Sequence, residues 1–235
     1  MGERGRRSEF LALSAVLALA ASGCFLLLGM RFAISGKMAY TYLVWNLVLA
    51  MAPYIIAAVG VHFLARAEGR RRRLLAIPVA ALWLVFYPNA PYIFTDFIHV
   101  INKTYLRAAP SDWLGLKALL WYDLLMNAAF AFIGHFIGLI SMWLVHTSFT
   151  EAWGTRAARA LVGAAILLSG FGIYLGRFSR LNSWDVLLDP RRVFSEIAEA
   201  TADPKAILFS AAFSLFILLT YAALVVFKRV SLPKS

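Results

Sequence analysis

Cysteine, histidine and charge are all scarce in this chain. A single cysteine, Cys24, in 235 residues excludes an internal disulfide and a thiolate metal cage. The four histidines, His62, His99, His135 and His146, fall at different predicted depths. Neither a His-Glu-x-x-His helix nor a Gly-x-Ser-x-Gly elbow occurs, so no metal and no other cofactor is expected. Charged residues make up 15% of the chain against 62% hydrophobic, and mean hydropathy is +0.75. A soluble domain of this length carries more charge and less apolar surface. That balance excludes a soluble enzyme, a disordered tail and a disulfide-stapled secreted domain.

What is abundant is long apolar runs. A membrane span needs about 20 mainly apolar residues, and six segments qualify or begin to: residues 10–30, 42–64, 74–87, 118–146, 158–176 and 206–227. The expected architecture is an all-α integral membrane protein, one polytopic domain over residues 1–235. Arg4, Arg6 and Arg7 ahead of the first run resemble a signal-peptide start. The run continues apolar past Cys24, so an uncleaved first span is expected.

The net charge of +11 does not point to nucleic acid. The basic residues sit in loops beside apolar runs, where they meet anionic headgroups and fix orientation. Arg66, Arg70, Arg71, Arg72 and Arg73 cluster after the second span. With the N-terminal arginines and Lys228, Arg229 and Lys234, they place both termini in the cytoplasm of a bacterial inner membrane. Against this stand the five basic residues of the loop 177–205. In a six-span chain the loops after spans 1, 3 and 5 share one face. Tyr87-Pro88-Asn89-Ala90-Pro91-Tyr92 and residues 177–185 therefore meet the same compartment.

Span 3 is short before its prolines. Fourteen residues from position 74 make about 21 Å of helix, less than the ~30 Å hydrocarbon core. Two prolines three apart push their preceding residues toward extended backbone. The helix is expected to break near Tyr87, at a depth where open backbone must be covered by protein or line a wet cavity. The plainer alternative is a proline-terminated helix end with Tyr87 and Tyr92 as interfacial anchors. A short interfacial helix follows, with Asp96, His99 and Lys103 on one face. Those groups are either an acid–base or cation site, or a solvated face.

In span 4, Asp123, Asn127, Ala131 and His135 repeat every fourth residue, forming one stripe with Gly134 and Gly138 alongside. An ionisable group inside a span faces other helices or water and is paired or functional. The stripe reads as a proton, cation or substrate lining, or as an ion pair plus interhelical glue; Asn46 in span 2 reads the same way. Span 5 ends at Gly176, and Arg177, Arg180, Asn182, Trp184 and Asp185 follow at once. Arg177 and Arg180 suit bidentate binding of phosphate or carboxylate, and Asp96 and Asp123 are natural ion partners for them. Trp184 reads as a stacking platform or as a headgroup anchor.

These residues carry a resemblance. The string LVFYPNAPY at residues 84–92, Thr95-Asp96, Trp121-Tyr122-Asp123 and GRFSRLNSWD at residues 176–185 resemble the bacterial membrane-protein family called domain of unknown function 1361. The resemblance covers most of the chain from span 2 to span 6. It implies a bacterial multi-pass membrane protein and no particular activity. It also argues against Asn102-Lys103-Thr104 as a glycosylation site.

Three functions remain open on the sequence. The first is a module binding or transporting a small anionic or zwitterionic ligand, using Asn89, Tyr92, Asp96, His99, Asp123, Asn127, Arg177, Arg180, Asn182, Trp184 and Asp185. The second is an enzyme acting on a lipid or lipid-linked substrate at the outer leaflet. The third is an accessory subunit of a membrane complex. Expected partners are the lipid bilayer and a second copy or another membrane subunit, and no nucleic acid.

Overall fold

The computed structural model describes residues 3–101 and 113–229. Lys103, the Asn102-Lys103-Thr104 triplet and Lys234 lie outside the described residues. Among those described there is helix and turn but no strand. Ten α-helices follow in chain order: α1 (Glu3–Ser35), α2 (Tyr42–Leu64), α3 (Gly69–Phe86), α4 (Asn89–Tyr92), α5 (Ile98–Ile101), α6 (Trp113–Trp153), α7 (Thr155–Tyr174), α8 (Asp185–Leu188), α9 (Pro190–Ala202) and α10 (Pro204–Arg229). A 3-10 segment, Ile93–Phe97, joins α4 to α5, and a π-helical turn, Leu175–Ser179, closes α7.

Among the described residues six helical stretches are long and apolar enough to cross a membrane: Ser8–Ser35, Tyr42–Leu64, Gly69–Val100, Lys117–Trp153, Thr155–Ser179 and Pro204–Lys228. The second matches the expected residues 42–64. The third and fourth run well beyond the expected 74–87 and 118–146.

Helix α6 is the hub. Two-thirds of its most apolar stretch is buried, against 17% for α1 and 22% for α10. It packs on α1, α2, α3 and α7, while α10 lies mainly on α7. The main core gathers Trp83, Tyr87, Ile137, Met142, Ile166, Ile173 and Ile217. A second cluster of Leu43, Leu47, Ile93, Met126 and Phe130 sits toward the start of α2. In a bilayer this burial works through packing and exclusion of lipid rather than of water, so close fit between helices carries it.

The third span departs from expectation in a specific way. The α-helix is interrupted at Tyr87 and Pro88, as the prolines require, but the backbone does not open. Tyr87, Pro88 and Tyr92 all stay in the right-handed helical region. Ala90 N–H donates to Tyr87 O at 3.1 Å and Tyr92 N–H to Pro88 O at 3.0 Å. The chain resumes as helix because each proline falls within the first turn of a new helical piece, where a missing N–H costs little. The result is one irregular helical rod from Gly69 to Val100, interrupted at Tyr87 and Pro88.

Glycines on two neighbours face the segment around that interruption. A Cβ on Gly138 of α6 would collide with the Ala90 methyl, and one on Gly134 would meet Ile93 and Ala50 side chains at 3.3 Å. On the other side, a Cβ on Gly172 of α7 would meet Pro88 Cγ at 3.1 Å, and one on Gly176 would meet Tyr92 Cε2 at 3.1 Å. The proline segment is thus clasped between glycine faces of α6 and α7, the close packing that small residues allow.

The loop 177–205 has helices of its own. It contains α8 and the amphipathic α9, whose Val193, Ile197 and Ala200 turn inward. Asp189 caps α9, its carboxylate accepting from Arg192 N–H at 3.2 Å, with Pro190 at the first helical position.

Candidate functional site

A cavity of about 620 Å³ lies at the end of the bundle where α2 begins, α4 follows α3 and α7 ends. Trp45, Asn46 and Leu49 of α2 form one wall. Val85, Pro88, Asn89 and Tyr92 form a second. Gly172, Gly176, Arg177, Arg180, Asn182 and Ser183, from the end of α7 and the turn after it, form the third. His99 closes it from the segment after Asp96, and Val186 and Val193 supply a rim from α8 and α9.

Each polar wall has a local cause. Asn89 Nδ2 donates to Phe86 O and to Ser183 Oγ, both at 2.9 Å. One side chain therefore caps the broken helix and ties it to the loop after α7. Two segments 94 positions apart in sequence share one hydrogen bond, so they lie at the same end of the bundle, as span counting requires.

Arg177 reaches inward. Its guanidinium lies 4.0 Å from Asp96 Oδ1 and 3.5 Å from His99 Nε2. Asp96 is 2% exposed, and its other oxygen accepts from Asn46 Nδ2 at 2.6 Å. The solvated-face alternative for Asp96 is therefore corrected: the tight 3-10 winding of Ile93–Phe97 turns its carboxylate into the bundle against α2. An uncompensated carboxylate there would cost several kcal/mol, and Asn46 and Arg177 offset that. The expected pairing of Asp96 with a span-5 arginine holds, through Arg177.

Arg180 is different. Its backbone is left-handed, at φ 55°, which costs a non-glycine residue about 1 kcal/mol. The π turn before it sets that conformation, closed by Leu181 N–H on Leu175 O at 3.3 Å. The reversal lays Arg180 along the cavity, and its guanidinium makes no ion pair or hydrogen bond with the described residues.

Asp123 and Asn127 form a separate cluster. Asp123 is fully buried, not partly hydrated at the span boundary. Its partner is Arg31, at the end of α1, through both carboxylate oxygens, Arg31 Nη2 to Oδ2 at 3.2 Å. Tyr40 O–H donates to Oδ2 at 2.7 Å. The expected pairing of Asp123 with an arginine of the 177–185 segment is thus corrected. α1 ends alongside α6, and Arg31 arrives on the same level as Asp123. Asn127 Nδ2 donates to the Asp123 backbone carbonyl at 2.7 Å. It serves the helix rather than the cavity.

Aromatic rings bridge the two clusters. Tyr40 lies 6.1 Å from Tyr42, and Tyr42 4.6 Å from His99. Further down the stripe, His135 leaves the site altogether, with Nε2 2.9 Å from Thr220 Oγ1 and its ring stacked on Phe216. Trp184 and Asp185 do not line the cavity. Asp185 accepts from Asn182 N–H at 2.7 Å and shapes the turn that presents Asn182. Among the described residues no three His, Cys, Asp or Glu side chains gather to hold a metal.

Sequence reasoning passed over Arg31, Tyr40 and Trp45. Arg31 is the first charge after the apolar run 10–30, and such a residue is ordinarily taken as a boundary marker rather than a buried partner.

Six membrane-length helices around a buried polar end define an all-α multi-pass membrane protein. More particularly, the chain belongs to the family described as protein of unknown function (DUF1361), which matches residues 45–220. The match includes the cavity and Asp123, while Arg31 and Tyr40 precede it. No curated protein and no solved structure matches this chain.

Proposed function

We propose that the cavity is a binding site for a small anionic or zwitterionic ligand, reached from the extracytoplasmic face of a bacterial inner membrane, and that the protein binds or transports that ligand. The observation that carries this reading is Arg180. A guanidinium on a cavity wall, carried by a left-handed backbone turn and with no counter-charge among the described residues, suits an incoming anion. Arg177, already shared between Asp96 and His99, supplies a second positive group, and Asn182 an amide. Binding is favoured over catalysis because, among the described residues lining the cavity, no nucleophile is paired with an oriented base.

Orientation follows from charge. Arg66, Arg70, Arg71, Arg72, Arg73, Arg156 and Arg159 lie at the opposite end of the bundle, where Arg72 pairs with Glu151 and Trp153 Nε1 donates to Arg73 O at 3.2 Å. By the positive-inside rule this cluster supports reading that end as the cytoplasmic one, against the five basic residues of the loop 177–205.

Two measurements test the proposal on the full chain. Single-cysteine labelling in a Cys24→Ser background should tag Ser183→Cys in intact cells and Thr155→Cys only after permeabilisation. Reversed labelling would place the site in the cytoplasm. Thermal unfolding of purified protein should rise with glycerol 3-phosphate or inorganic phosphate, and Arg180→Gln should abolish the rise. An unchanged melting temperature with every anion tried, or an equal rise in Arg180→Gln, removes the anion site.

A further inference from the structure

We infer that the ligand is the anionic, phosphate-bearing headgroup of a membrane amphiphile that enters sideways from the bilayer. This rests on the cavity being an anion site and names the class of ligand it takes.

The cavity is polar on its inner side and apolar on its outer rim. Trp45 lines it yet is 57% exposed. On a membrane-length helix such exposure faces lipid. α4 packs on both α2 and α7 and holds them apart, and the cavity occupies the gap beside it. Leu49 and Val85, both on spanning helices, continue that wall.

The opposite rim comes from the connection between the fifth and sixth spans. Val186 and Val193 line the cavity. Just outside them Leu187, Leu188 and Phe194 are 82%, 77% and 71% exposed. An apolar patch of this kind marks a binding surface rather than free water contact. Because α8 and α9 link the ends of two spans, that patch sits at the boundary between headgroups and acyl chains. Interfacial amphipathic helices lie at that depth, and the lipid leaflet is the occupant it fits. Arg191 and Arg192 open α9, beside the carboxylates of Asp185 and Asp189 and ahead of Glu196 and Glu199, so the rim contributes apolar surface rather than net positive charge.

A site for a freely soluble anion needs no such rim. Here the part-buried Arg177 and the exposed Arg180 line the cavity, the lipid-facing tryptophan lies on one side and bare leucines on the other. A phosphodiester on Arg177 and Arg180 would leave its acyl chains running out between Trp45 and Leu188. The headgroup would be stripped of bulk water, which strengthens its contact with guanidinium.

The test uses the full chain in a non-ionic detergent, titrated with dioctanoyl phosphatidylglycerol and, separately, with glycerol 3-phosphate. Each methylene withdrawn from water is worth about fourfold in affinity. The lipid is therefore expected to bind at least tenfold more tightly than the soluble phosphate, as an order-of-magnitude floor. Arg180→Gln should weaken the lipid about tenfold or more, the scale of a charge-assisted contact. Leu188→Gln, on an exposed side chain that folding does not need, should weaken the lipid roughly fourfold and leave glycerol 3-phosphate unchanged. If glycerol 3-phosphate binds as tightly as the lipid and depends on Arg180, the amphiphile inference fails while the anion site stands. If the lipid binds Arg180→Gln as well as it binds the native protein, it is only belt lipid and the inference fails. If neither probe binds, both readings fail together.

Discussion

Gly138→Ala is the most direct perturbation of the clasp around the proline segment. The added methyl would fall inside the contact distance of the Ala90 methyl. That neighbour is one bond from the backbone and cannot swing aside, so α4 itself must move. Overpacking of this kind costs about 1–3 kcal/mol, and a rigid obstacle belongs at the upper end. Replacing glycine by alanine within a helix returns about 1 kcal/mol. The expected net loss is therefore about 2 kcal/mol. The assay is reversible unfolding of the purified protein in mixed micelles, with Gly163→Ala as control. No atom lies within 4 Å of a Cβ on Gly163, so that variant should match or slightly exceed the native protein. The decisive variant is the size swap, Gly138→Ala with Ala90→Gly, which restores the missing volume. It should recover most of the loss, less the ~0.5–1 kcal/mol that a helical glycine costs. If Gly138→Ala is as stable as Gly163→Ala, or if the swap rescues nothing, close apposition of α4 on α6 is not what holds the rod.

Other outcomes follow from the same geometry. Asp123→Ala or Arg31→Ala should each destabilise the protein by about 3–5 kcal/mol, because each strands a buried charge; folded yield and unfolding midpoint measure this. Asp123→Arg combined with Arg180→Asp should not rescue either, since the buried partner is Arg31. Asn89→Ala and Ser183→Ala, analysed as a double-mutant cycle, should show a coupling of about 1 kcal/mol. A coupling indistinguishable from zero would mean that the 2.9 Å contact does not join α4 to the loop after α7.

How much could be read from the sequence divides along a physical line. The spans were legible because bilayer thickness converts apolar length directly into a helix count. That Asn89 and Ser183 lie at one end of the bundle followed from span parity, while their hydrogen bond did not. The depth of the charges was not legible. Asp96 and Asp123 look alike in sequence, each on a helix near a span end. Asp96 is turned inward by a 3-10 segment whose winding no apolar pattern announces, and Asp123 is reached by an arginine 92 positions earlier. The proline segment misled for a related reason. Pro88 and Pro91 forbid particular hydrogen bonds, but they do not forbid helix when each opens a new turn. α9 did carry a signal, the Asp189-Pro190 pair of a helix start, in a stretch where attention to long apolar runs finds nothing.

The bond between Arg31 and Asp123 also sets a timetable for assembly. Arg31 leaves the ribosome 92 residues ahead of its partner, an interval of roughly 5–20 s at ordinary rates of synthesis. Throughout that interval α1 holds a cation with no carboxylate on α6 to meet it. The guanidinium can remain among headgroups and water until α6 is inserted beside it. On this view α1 is made well before α6 and is fully seated only after it. Its docking is completed by an ionic latch once α6 is in place. A chain stopped before residue 123 would leave α1 in the membrane without the contact that registers it.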